Sequence, residues 1–89
     1  MKSQATHRTT SIHYAICIDN SEYPASLEIL KLYRVMPDQE AERDNDIRVI
    51  DENGEDYLYP ASYFLQVELP PHTIKVLNKS FARLTTAAR

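Results

Sequence analysis

The sequence predicts a mainly β domain of five short strands followed by a C-terminal helix. Three observations predict it. Short apolar runs, several alternating with period two, recur between turn-forming residues, as half-buried strands require. Asn53-Gly54 stands between two of them, the strongest short-range hairpin signal. Beyond Pro70-Pro71, Ile74, Leu77, Phe81 and Leu84 recur at spacings of three, four and three, which trace one side of an α-helix.

In chain order, residues 1–11 are polar and read as a flexible tail, without the apolar run of a secretory leader. Residues 14–18, YAICI, make the first strand, stopped by Asp19, Asn20 and Ser21. An irregular excursion follows, because Pro24 lacks the N–H that a sheet ladder uses. The second strand is 32–36, halted by Pro37-Asp38. Residues 38–46 are almost wholly polar and read as a loop, with 39–43 able to form one helical turn. The third and fourth strands, 47–51 and 56–59, flank the Asn53-Gly54 turn.

With a two-residue type I′ turn, Ile50 opposes Tyr57, Val49 opposes Leu58 and Arg48 opposes Tyr59. Ile47, Val49 and Leu58 then face the core, while Arg48, Ile50, Tyr57 and Tyr59 form a partly exposed aromatic face. This register also sets Glu52 against Glu55 and Asp51 against Asp56, so a bulge or longer loop stays open as an alternative. Pro60 ends the fourth strand, 61–64 fits one helical turn, and 65–69 resumes alternation until Pro70. The domain proper is expected over 12–70, the helix over 71–85 and a flexible end over 86–89.

Composition narrows the function. The 89 residues carry 10 Lys+Arg against 13 Asp+Glu, a net charge of −3, which disfavours a globally basic nucleic-acid binder. One glycine excludes Gly-rich phosphate cradles and the nucleophile elbow of hydrolases. One cysteine closes no intrachain disulfide, which points to a reducing, cytoplasmic setting. No apolar run is long enough to span a bilayer, so integral membrane association is not expected.

His7, His13 and His72 are dispersed and form no zinc nucleus with Cys17, which reads as a small buried hydrophobe. Asp51, Asn53, Glu55 and Asp56 lack the spacing of a calcium loop. No metal, cofactor or catalytic residue is therefore expected, and the chain reads as a non-enzyme. Charge is unevenly distributed: residues 38–56 hold nine acids against Arg43 and Arg48, whereas after Glu68 only Lys75, Lys79, Arg83 and Arg89 are charged.

The strand order, the run Leu27-Glu-Ile-Leu-Lys-Leu-Tyr33 and the turn Tyr59-Pro-Ala-Ser-Tyr-Phe64 resemble SH3 domains, implying an SH3-like five-stranded small barrel with a C-terminal helix. The stretch Gly-Glu-Asp-Tyr-Leu-Tyr-Pro at 54–60 also resembles a group of short, uncharacterised bacterial proteins. In SH3 domains an aromatic groove receives proline-rich peptides, and the resemblance places Pro60 and Tyr63 in it.

Six tyrosines are the compositional oddity. Tyr33 and Phe64 read as core, and Tyr23, Tyr57, Tyr59, Pro60 and Tyr63 as a binding face, since tyrosine combines a large apolar area with a polar tip. The expectation is a protein-binding or regulatory module whose acidic loops favour a basic protein or peptide partner. A nucleic-acid or ribosome-associated accessory protein, using Lys75, Lys79 and Arg83, is one alternative. A structural subunit of a homodimer or larger homo-oligomer is another.

Overall fold

The computed structural model describes residues 12–87, with side chains described through residue 84. The expected tail over 1–11, with His7, and the last two residues lie outside this range. The elements are β1 (His13–Cys17), β2 (Leu32–Met36), α1 (Gln39–Arg43), β3 (Asp46–Ile50), β4 (Asp56–Pro60), a 3₁₀ turn (Ala61–Tyr63), β5 (Phe64–Val67) and α2 (Pro71–Ala87). The strands form one antiparallel sheet in the order β4-β3-β2-β1-β5.

This sheet is open, which corrects the expected barrel and the SH3-like assignment: β4 and β5 are its two outer strands and do not pair with each other. The reason is local. Pro60 has no N–H to extend the ladder, and the chain turns at once into the 3₁₀ segment before starting β5 on the far edge. With α2 against one face, the fold is mixed α/β rather than mainly β.

The sheet has two working faces because successive strand residues point to opposite sides. On one face Ala15, Cys17, Tyr33, Val35, Ile47, Val49, Tyr59 and Phe64 join Leu27 and Tyr63 in the main buried cluster. Cys17 is a buried free thiol here, as its apolar neighbours in sequence predict. On the other face lie Tyr14 and Arg34, paired across β1 and β2, and α2 covers them. The Tyr14 ring is 6.1 Å from Phe81 and its hydroxyl donates to Asn78 Oδ1 at 2.6 Å. The Arg34 guanidinium sits 5.2 Å from the Phe81 centroid, and its Nε is buried without a hydrogen-bond partner. The ring's negative face supplies part of what that nitrogen lacks.

The β3–β4 register differs by one residue from the two-residue-turn expectation. Ile47 faces Tyr59, Arg48 faces Leu58, Val49 faces Tyr57 and Ile50 faces Asp56. Only Gly54 has positive φ in this loop (85°), so the connection is the three-residue kind with glycine last, not a type I′ turn.

Asp51 organises the loop. Its Oδ1 accepts from the Asn53 and Glu55 amides at 2.8 and 3.0 Å, while its own amide donates to Glu55 O at 2.8 Å. A one-residue slip exchanges the faces of a strand. Leu58, expected inside, is 46% exposed, and Tyr59 is buried at 7%. Asp56 gains an ion pair with Arg48 in place of a like-charged neighbour.

Asp38 caps α1, its carboxylate accepting from the Ala41 amide at 3.1 Å and from Arg48 Nε at 2.7 Å. The Ala41 amide first, then Arg48, hold this carboxyl below its ordinary value. A depressed folded pKa stabilises above the unfolded pKa of about 4 and is lost as pH falls through the folded one. Asp38→Asn keeps a cap oxygen but removes the charge, so urea midpoints measured from pH 7 to pH 3 should show a flatter acid limb than the parent chain.

Candidate functional site

The excursion between β1 and β2 is a built loop. Tyr23 O accepts from the Ser26 and Leu27 amides at 3.1 and 3.0 Å, Asn20 Nδ2 donates to Leu27 O at 2.8 Å, and Leu27 is inserted into the core. At its end the Glu28 amide donates to Tyr33 Oη at 2.9 Å. Leu30 adopts φ 68°, an uncommon conformation for a residue with a Cβ. Its amide donates to Cys17 O while Cys17 N donates to Lys31 O, so two residues face Cys17 and β2 enters through a bulge.

Between this excursion and the β3–β4 hairpin lies a cleft of about 620 Å³. Tyr23 contributes from the excursion, Tyr33 from β2, and Tyr57 and Tyr59 from β4. Leu27 and Val49 supply apolar surface, and Glu28, Lys31, Asp51 and Glu52 the charges. Tyr33 and Tyr59 are its buried members; the Tyr59 ring lies 5.1 Å from Tyr23, nearly edge-on at 77°, and 6.4 Å from Tyr57. Tyr23 and Tyr57 remain 38% and 43% exposed.

Two polar contacts set the electrostatics. The Tyr57 hydroxyl donates to Glu55 Oε1 at 2.6 Å, and that bond, with the Glu55 charge behind it, pushes the phenol up to about 12. The phenol is therefore neutral, and donation to a carboxylate keeps its ring electron-rich. Lys31 Nζ bonds Glu52 and stands 5.3 Å from the Tyr33 centroid. The Glu52 hydrogen bond raises the Lys31 pKa, and the same bond lowers that of Glu52. Burial raises the Tyr33 phenol.

Of the residues singled out from sequence, Tyr23, Tyr57 and Tyr59 line the cleft. Tyr63 touches Tyr23, with ring centroids 6.2 Å apart, but it is buried in the core behind it. Pro60 is half-buried at the end of β4 opposite Asp46. Neither lines the cleft.

The grouping of Arg48 and Ile50 with Tyr57 and Tyr59 is also corrected. The register puts Arg48, Ile50, Leu58 and Asp56 on the α2 side of the sheet and the two tyrosines with Ile47 and Val49. Sequence reading missed Lys31 and the double duty of Tyr33 as core and wall. Their spacing of two, with Lys31 at the entry to β2 and Tyr33 within it, was the available signal.

Lys75, Lys79 and Arg83 are exposed on α2, so the basic stripe and the acid-rimmed cleft belong to opposite faces of the sheet. Among the described residues no helix is long and apolar enough to cross a membrane. The chain is thus a small domain carrying a prominent tyrosine cluster, part of it open to a ligand. No protein-family model, curated protein or solved structure matches the chain, so the likenesses drawn from residues 27–33, 59–64 and 54–60 have no relative behind them.

Proposed function

We propose that the chain is a non-catalytic protein-binding module whose tyrosine cleft receives a segment of a partner protein. One observation carries this reading: two half-exposed rings flank a buried third in a cleft of peptide-accommodating size. Tyrosine is among the residue types that carry much of the binding energy at such surfaces, because its large ring orders at little entropic cost. The action is non-covalent, and the supporting shell of Leu27, Val49 and Tyr63 holds the rings before a partner arrives.

The reading is checked by selecting random twelve-residue peptides on the immobilised full-length chain and retesting each binder on Tyr57→Ala. Because Tyr57 is exposed, this variant should stay within about 1 kcal/mol of the parent in stability, yet lose at least about tenfold in peptide affinity. Peptides that bind the variant as tightly as the parent would remove the cleft from consideration. Salt-sensitive RNA binding abolished by neutralising Lys75, Lys79 and Arg83 would instead place the working surface on α2.

A further inference from the structure

We infer that the cleft accepts an arginine side chain from a basic peptide segment, a specificity that rests on the binding-module reading above. Charge is the first argument. The ionised side chains lining the cleft are the acids Glu28, Asp51 and Glu52 against the single cation Lys31. A neutral segment, such as a proline-rich one, would cover these carboxylates without compensating them, which is costly. A nucleic-acid phosphate would be repelled.

The second argument is that the fold already performs this recognition on itself. Lys31 places an ammonium against the Tyr33 ring while bonding a carboxylate of the facing hairpin. A guest cation finds the same pair of elements at Tyr57, whose hydroxyl is held by Glu55, with Asp51 at the base of the same hairpin. Donation from a phenol to a carboxylate increases the electron density of the ring and so its attraction for a cation.

Shape selects arginine over lysine. Tyr23 and Tyr57 are both partly exposed neighbours of Tyr59, and a planar guanidinium stacks on such rings while its N–H groups fork to a carboxylate. An ammonium is more strongly hydrated and offers no flat face. Lys31 then acts as a resident competitor that keeps part of the acidic rim neutral until a guest arrives.

The test is an NMR titration of the ¹⁵N-labelled full chain with a blocked Gly-Arg-Gly-Arg-Gly peptide and with its citrulline counterpart, which keeps the shape but lacks the charge. The arginine peptide should shift resonances around Tyr23, Tyr33, Glu52 and Tyr57, and bind about tenfold more tightly than the citrulline one. Tyr57→Ala should weaken it about fivefold, and Lys31→Met should strengthen it by removing the resident cation.

Equal binding of the two peptides, both weakened by Tyr57→Ala, would overturn the arginine assignment and leave the binding-module reading standing. Binding indifferent to Tyr57→Ala, with shifts spread over residues 38–46, would overturn both. Self-association that moves the same cleft resonances without peptide would assign the cleft to a second copy and overturn the proposal.

Discussion

Tyr59→Ala should destabilise the domain by about 3–5 kcal/mol, while Leu58→Ala, one position earlier on the same strand, changes it by no more than about 0.5 kcal/mol. The contrast follows from the register. Tyr59 faces Ile47, is 7% exposed, and packs its ring against Tyr23, Tyr57 and Phe64. Removing it leaves a cavity where the excursion, β4 and β5 meet. Leu58 points to the other side, opposite Arg48, and is about half exposed.

Native domains are stable by only about 5–15 kcal/mol, so the Tyr59 loss is a large share. For a chain of this size it lowers the melting temperature by more than about 12 °C. Urea and thermal unfolding of the two variants decide the matter. A larger loss at Leu58 would show that the two-residue turn forms after all.

The second large effect belongs to the opposite face. Tyr14 is 1% exposed, lies against Phe81 and donates to Asn78, so Tyr14→Ala should cost about 3–5 kcal/mol. Tyr14→Phe isolates the hydroxyl and should cost about 0.5–1.5 kcal/mol. Ending the chain after Pro71 removes the partner of both ring and hydroxyl and uncovers Arg34. Such a chain should unfold at much lower urea concentration, or without a cooperative transition. If Tyr14→Ala is as stable as the parent, α2 is not docked on the sheet in solution. If truncation alone is harmless, Tyr14 owes its burial to some other element.

The two variants probe different parts of the molecule, and together they separate scaffold from cleft. Tyr59 belongs to both, which makes it a poor reporter of binding. Tyr57, held to the hairpin through Glu55 and in a tilted ring contact with Tyr59, is the better one.

Much of the layout is visible in local sequence. The alternation over 32–36 matches β2 in both bounds. The capacity of 39–43 and 61–64 for single helical turns appears as α1 and the 3₁₀ turn. The three-four-three spacing beyond Pro71 marks α2, which runs two residues past its expected end at 85. Cys17, Tyr33 and Phe64 are buried where their neighbours suggested.

The hairpin shows where local reading stops. Asn53-Gly54 marks the turn, but the loop length depends on the Asp51 carboxylate capturing two amides, an outcome that residue preferences alone leave open. That single added loop residue moved Leu58 out and drew Tyr59 in, where its ring meets Tyr23 from thirty-six positions earlier in the chain. The cleft was therefore visible only as a surplus of tyrosines and acids, without a floor or walls.

Sequence alone places each strand and helix to within about two residues of its observed bounds, because side-chain periodicity and turn chemistry act between residues a few positions apart. Tertiary structure alone decides that the sheet stays open at Pro60, that α2 covers Tyr14 and Arg34, and which tyrosines meet in the cleft. Those outcomes depend on cross-strand hydrogen bonds and packing between residues distant along the chain, and a shift of one residue in that pairing exchanges inside for outside.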